Sequence, residues 1–446
     1  MSKFKEFIRR VSSILNLKTT LDGLGIKSAV SSVMAAEIST WSAMYTNRKG
    51  LALPAAIASE LARPVTLELK SEITGSVRAD FLNSQYRKVI DDIRTTCEYA
   101  CATGGLMFKP YVWGDSIAVD YVRAENFIPT KFDISGNITA VAFLSRIYKG
   151  DRIFTRIEYH DYNADTYVIK NMAFVSSSKD IIGRKIPLSS VPEWERLQPS
   201  VTITKAYAPL YSYFKMPMAN PADPESPLGV SVYARAESLM DDAQKQYERL
   251  LWEFESGERT LYVSDAAVTR DKTGARIIPD KRLYRLLDYD SDNFFKEWTP
   301  TLREAELVAG LDDILRKIEF NTGLAYGTLS NVQTTDKTAE EIKASKQRSY
   351  STVSEIQKSL KTALSGLVRS MNVLCDLYEL APPGEYSVST DFDDSIMTDR
   401  KAEFEEKMRL LSAGIIKPWE MRSWYCGEDE KTARERVMTE PFEDEE

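Results

Sequence analysis

Residues 223–257 read DPESPLGVSVYARAESLMDDAQKQYERLLWEFESG, and the architecture turns on this stretch. Ser226 suits the cap of a helix, and Pro227 suits its first position, where a missing N–H costs nothing. Val232, Ala236, Leu239, Ala243, Tyr247, Leu250 and Phe254 then recur at spacings of three and four, and Gly257 supplies a stop. The spacing predicts one long helix from Ser226 to Gly257, about 45 Å at 1.5 Å per residue.

Upstream the pattern is of a different kind. From Gly105 to Tyr213 the chain breaks into short runs rich in Val, Ile, Phe and Tyr: 106–112, 116–122, 138–148, 153–159 and 166–174. Gly, Asp and Asn punctuate them, which predicts a mostly antiparallel sheet. The first 65 residues read as helical. Phe4, Phe7, Ile8, Val11, Ile14 and Leu15 fall on one face, flanked by Lys3, Lys5, Arg9 and Arg10, and a second helix is expected over 30–47. The first pattern suits a partner-docking or membrane-surface helix, but an ordinary packed helix explains it better.

Downstream, residues 258–300 are compact and β-rich, with Gly274, Pro279 and Pro300 at corners. A helix is expected over 302–321, with Leu307, Leu311, Ile314 and Ile318 on one side. A polar stretch, AYGTLSNVQTTDK, fills 325–337. Thr338 to Glu341 form a capping box, opening a helix that reaches about residue 380 and spans about 65 Å. Val353, Ile356, Leu360, Ala363, Leu367, Met371, Leu374 and Tyr378 form its apolar stripe, but residues 343–351 are almost wholly polar. A short β-type patch at 386–394, helical runs over 398–412 and 417–438, and the tail FEDEE complete the chain. The expected class is α+β.

Composition closes off several functions. The 446 residues allow about three domains, and 43% hydrophobic with 28% charged residues is ordinary for a globular chain. No apolar run approaches the roughly 20 residues of a membrane-spanning helix. The best, 51–61, holds Pro54 and Glu60. The charged N-terminus does not read as a signal peptide, so a cytoplasmic location is expected. Cys97, Cys101, Cys375 and Cys426 form no CxxC pair, which argues against structural disulfides or a cysteine zinc site. The one histidine, His160, falls in an alternating segment and reads as a strand surface residue, leaving neither a His-rich zinc site nor a supported Ser-His-Asp triad.

No Gly-Lys pair exists, so a phosphate-binding P-loop is absent. Asp391, Asp393 and Asp394 are the nearest approach to a two-metal carboxylate cluster, and a solvated turn explains them better. Asp288, Asp290 and Asp292 resemble the start of a calcium loop, but Asn293 and Thr299 stand where Gly and Glu belong. Asp241, Lys245 and Arg249 read as a solvated or intersubunit face. No catalytic, cofactor or metal set emerges. The net charge is -8, and residues 381–446 alone hold 18 acidic and 9 basic side chains, leaving +1 for the remainder. That balance argues against tight nonspecific DNA binding, which depends on Lys and Arg at phosphates.

The order of these elements, with several local motifs, resembles the tailed-bacteriophage portal proteins, in the subgroup also called minor capsid protein. Ile38, Trp41 and Tyr45 match an I-x-x-W-x-x-x-Y element, and residues 100–133 resemble the A-x-G-G stretch with its Tyr-Val and Phe-Ile-Pro. Residues 226–233 resemble S-P-L-G-x-S-x-[YF]. Asn321 to Leu324 and Lys337 to Ile342 look like the flanks of the family's tunnel loop. The matches run in order over residues 38–345.

The resemblance implies a wing (1–225), a first stem helix (226–257), a clip (258–302), a second stem helix (303–321), a tunnel loop (322–338), a long wing helix (339–380) and an acidic, crown-like C-terminal region (381–446). It implies a homo-oligomeric ring, usually a dodecamer, at one capsid vertex, assembled in the host cytoplasm and serving double-stranded DNA packaging and ejection. The partners it implies are the terminase large subunit, a head-tail adaptor, and the major capsid and scaffold proteins, with no membrane and no cofactor. Ser330, Asn331, Gln333, Thr334, Thr335, Lys337, Lys343, Lys346 and Arg348 would lie nearest passing DNA, and Val268, Arg270, Lys272 and Arg276 would contact a partner at the clip. A different structural protein, such as a capsid or head-tail adaptor, is the alternative.

Overall fold

The computed structural model describes residues 18–163, 166–178, 180–204, 206–258, 260–264, 284–287, 295–298, 300–331, 339–392, 400–426 and 428–439. The amphipathic pattern at residues 4–15 lies outside them. The fold is α+β, and the chain divides into two compact units, one of residues 1–67 and 71–390, the other of 68–70 and 391–446.

The first unit opens with helices α1 (Ser32–Thr46), α2 (Leu53–Thr66), α3 (Val77–Asp91) and α4 (Ile93–Thr103), with strand β1 (Leu69–Thr74) before α3. Ser31 caps α1 by accepting from the Met34 amide. Met34, Ile38 and Trp41, spaced three and four apart, form its buried face. At the end of α4, Gly104 takes a left-handed conformation (φ 86°) and returns its N–H to the Ala100 carbonyl.

Two antiparallel sheets follow. One has the order β10 (Ser212–Lys215), β2 (Gly105–Trp113), β3 (Ser116–Arg123). The other runs β4 (Phe127–Phe132), β5 (Ile138–Lys149), β6 (Arg152–Asn163), β7 (Thr166–Ser176), β8 (Arg184–Ile186), with β9 (Ser200–Thr204) also paired to β7. The strand runs expected from alternation coincide with β2, β3, β5, β6 and β7 to within a few residues at each end.

On one face of the larger sheet Ala140, Ala142, Leu144, Ile157, Tyr159 and Phe174 pack against Leu21 and Ile26. The other face is covered as well, and this corrects the expectation for His160. It is 2% exposed, with the rings of Phe143 and Tyr211 packed edge-on against it at 5.2 and 6.1 Å. Alternation identifies two faces but does not say that the polar one meets water.

The helix expected from Ser226 begins later. Helix α5 spans Glu237–Ser256, after a single 3-10 turn at Ala234–Ala236, and is therefore about 30 Å long. Residues 226–233 are instead non-helical, and buried from Leu228 onward. Leu228, Val230, Ser231, Val232 and Tyr233 are all buried. The Val232 amide donates to the Cys101 carbonyl (3.0 Å), and the Tyr233 hydroxyl to the Trp41 carbonyl (2.8 Å). These contacts offset the capping preference of Ser226 and Pro227, as tertiary packing often does.

Three short strands follow: β11 (Thr260–Ser264), parallel to β12 (Tyr284–Leu287) and antiparallel to β13 (Phe295–Trp298). Helix α6 (Glu304–Thr322) then packs along α5, where Glu253 takes both the backbone and the guanidinium of Arg303 at the turn. Helix α7 (Ala339–Tyr378) is about 60 Å long. Its stripe from Val353 to Leu374 is buried, but Tyr378 is exposed. Arg78 secures its far end, donating to Asp376 (2.7 Å), Asn372 (2.9 Å) and the carbonyls of Ala381 and Pro382. Strand β14 (Ser387–Phe392) returns to pair with β1.

The second unit holds α8 (Arg400–Ser412), α9 (Pro418–Cys426) and α10 (Glu430–Thr439), with Met421 and Ala433 buried. The single run expected over 417–438 is thus two helices. Asp429 accepts from the Thr432 amide and hydroxyl, starting a new helix at Glu430.

Candidate functional site at the loop after residue 322

Helix α6 ends where a glycine is needed. Gly323 is left-handed (φ 74°), and a Cβ there would lie 2.4 Å from the Thr352 hydroxyl of α7. The amides of Gly323 and Leu324 both return to the Glu319 carbonyl. The chain then folds back along α6.

Glu319 organises that return, and it is completely buried. Its carboxylate accepts from the amides of Gly327 (3.1 Å), Leu329 (2.6 Å) and Ser330 (2.9 Å) and from the Ser330 hydroxyl (2.9 Å). Two helical turns earlier on the same face, Asp312 accepts from the Asn331 amide at 2.6 Å and pairs with Arg316 at 3.0 Å. Seven residues of helix rise about 10 Å. The chain therefore leaves α6 beside Asp312, not from the helix tip. The donors that the loop supplies offset the cost of burying these side chains.

Arg348 of α7 closes the other side. Its guanidinium lies 4.5 Å from the centre of the Phe320 ring and 5.5 Å from that of Tyr326, both within cation-π range.

The residues expected nearest a channel are thus divided. Ser330 is buried, with its hydroxyl turned to Glu319, and Asn331 is exposed. Arg348 is stacked on two rings. Gln333, Thr334, Thr335 and Lys337 lie outside the described residues, as do the side chains of Lys343 and Lys346 and the clip residues Val268, Arg270, Lys272 and Arg276. Sequence reasoning passed over Asp312 and Glu319. The available signal was a pair of acids seven residues apart, each directly after a stripe residue, Leu311 or Ile318.

A second polar cluster surrounds His160. Its Nδ1 meets the Tyr167 hydroxyl at 2.5 Å and its Nε2 meets Glu158 at 2.9 Å. Glu158 also pairs with Lys109 (2.7 Å) and Arg156 (2.8 Å). Burial alone would raise the Glu158 carboxyl, but Lys109, His160 and Arg156 hold it well below the usual carboxylate range. Burial pushes the His160 imidazole down, against the pull of Glu158. Both ring nitrogens are engaged and neither touches a serine or cysteine, so the cluster is not a nucleophile-base pair. Asp391 is exposed on β14, while Asp393, Asp394, Asp288, Asp290 and Asp292 lie outside the described residues. Among the described residues no three His, Cys, Asp or Glu side chains gather as a metal site, and no helix is long and apolar enough to cross a membrane.

The motif residues meet at one junction. A Cβ on Gly104 would lie 2.5 Å from the Gly229 carbonyl oxygen, and one on Gly229 would lie 2.2 Å from that of Gly104. Two backbones therefore cross where only glycines fit. Trp41 donates its indole N–H to Glu237 at the start of α5 (2.5 Å), and Tyr45 donates to Glu98 (2.8 Å). A cavity of about 250 Å³ opens beside this crossing, lined by Ile38, Thr103, Glu125, Tyr213, Leu228 and Gly229 among others.

A family model described as phage portal protein, SPP1 Gp6-like, matches residues 63–436. Among solved structures, a chain from the "Neck of native GTA particle computed with C12 symmetry" aligns at 10% identity and a TM-score of 0.36, covering 82% of this chain and 88% of that one. Comparison with curated proteins gives no match.

Proposed function

Because the chain belongs to the SPP1 Gp6-like family of phage portal proteins, we propose that its copies form a closed ring, usually of twelve, at one vertex of the capsid. Double-stranded DNA passes along the axis of that ring during packaging and ejection. Beyond the family match, the observation that carries the reading is the α5–α6 helix pair running into a loop whose root is fixed on α6. Such a pair fixes Asn331, the first residue of the segment 331–338, beside Asp312.

Within this reading α5 and α6 are the stem, residues 258–302 the clip, and the sheets with α1–α4 and α7 the wing. Asn331, Gln333, Thr334, Thr335, Lys337, Lys343 and Lys346 line the channel. Ser330 and Arg348 serve the loop root instead, since their polar groups are turned to Glu319 and to two aromatic rings. Val268, Arg270, Lys272 and Arg276 contact the terminase large subunit or a head-tail adaptor, and the outer surface meets capsid and scaffold proteins. Polar, mostly uncharged side chains along the segment let DNA slide, where a strip of Lys and Arg would hold it by its phosphates.

Electron microscopy of the purified chain across a concentration series tests this. Rings with an axial hole and a narrow stalk are expected. Monomers throughout, together with failure to enter a capsid vertex in the presence of scaffold, would sink the reading.

A further inference from the structure

We propose that Glu319 is the positioning residue of the channel segment, with Asp312 as its second point of attachment. The inference rests on the portal reading above and adds to it the device that sets where the segment leaves the stem. Hydrogen bonds fix four successive loop features, the amides of Gly327, Leu329 and Ser330 and the Ser330 hydroxyl, onto one buried carboxylate. The Asn331 amide is fixed two turns away on Asp312. Nine residues, 323–331, are thereby tied to α6, so the chain enters residues 332–338 from a fixed point beside Asp312.

Two consequences distinguish this from general packing. Backbone amides supply most of the bonds, so the attachment is insensitive to most loop side chains but depends on an acceptor at position 319, whose Oε1 takes all three amides. Any displacement of α6 also carries the start of the segment with it, because the root has no slack. Glu319→Leu removes both acceptors with little change in volume and leaves the three amides without a partner, whereas Glu319→Gln can keep its Oε1 on those amides and turn its nitrogen to the Ser330 hydroxyl, which can accept.

The test uses the assembled ring, in procapsids with its terminase. Hydrogen exchange of the wild-type ring should show protected amides at Gly327, Leu329, Ser330 and Asn331. In E319L, protection at the first three should fall about tenfold or more, with rings still entering the vertex and packaging DNA several-fold more slowly per ring. Ser330→Ala, which removes one donor only, should slow packaging less. Wild-type amides that exchange freely would overturn the geometry, and E319L rings that package at the wild-type rate despite lost protection would overturn the positioning role. Should E319L not assemble, the wild-type exchange and the S330A rate decide. Failure of the portal reading has a different signature, namely wild-type chains that form no ring.

Discussion

His160 titrates inside a fully enclosed network, and this gives the fold a sensitivity to acid. The groups around it are Glu158 on its own strand, Tyr167 on β7, and Lys109 and Arg156, which share Glu158. Burial depresses the imidazole below its ordinary 6.5, so the unfolded chain binds a proton more readily than the folded one. Stability from this residue is complete above about pH 6.5 and is lost as pH falls toward the depressed folded value. Glu158, also depressed, acts in the same direction at lower pH. Urea unfolding between pH 7 and pH 5.5 should show stability falling with acid, and His160→Gln should flatten that fall. An unchanged slope would show that another group carries it. The sequence allowed this residue to be placed on a strand but not in a core, because burial of a polar face depends on elements distant in the chain: Tyr211 and Lys109 are separated from it by about fifty residues on either side. Glu319 and Asp312 escaped notice for the same reason. An acid in a helix reads as solvent-facing unless the loop that covers it is known.

The strands of the β region, the long α7 and the α6 boundaries were all legible, since each rests on a local period that packing reinforced. The start of α5 was not. Ser226 and Pro227 form a strong local signal, yet the following six residues are held by Gly104, Cys101 and Trp41, about 125 to 190 residues away. Local propensity differences of a fraction of a kcal/mol per residue cannot compete with burying Leu228, Val230, Val232 and Tyr233. The glycine crossing is the weak point of that element. Gly229→Ala would put a methyl against the Gly104 carbonyl oxygen, with the Met216 backbone at 2.8 Å behind it. Backbone atoms cannot yield as a flexible side chain can, so we expect a loss of about 2–3 kcal/mol. Limited proteolysis should then cut within 226–236 in the variant and not in the wild type. An equally resistant variant would mean that the two backbones have room to separate.

For the whole molecule, charge is the property that bears most on function. The chain holds 66 acidic and 58 basic residues, and the excess acid is concentrated in residues 381–446. The proposed ring of about twelve copies would carry roughly a hundred negative charges, and their field would oppose adhesion of a polyanion anywhere except a locally basic strip. The basic residues proposed to line the channel would not amount to such a strip: Arg348 is committed to Phe320 and Tyr326, and Lys337, Lys343 and Lys346 would contribute three charges per copy. The assembled ring should therefore bind duplex DNA weakly, and the little binding that occurs should release few counterions. Titrating a labelled duplex by fluorescence anisotropy from 50 to 200 mM salt should give a log-log slope shallower than about -2, corresponding to about two neutralised phosphates. A slope of about -6 or steeper would reveal a continuous basic surface. Translocation would then depend on repeatedly breaking tight phosphate contacts, and the sliding role argued for residues 331–338 would fail at the scale where it has to operate.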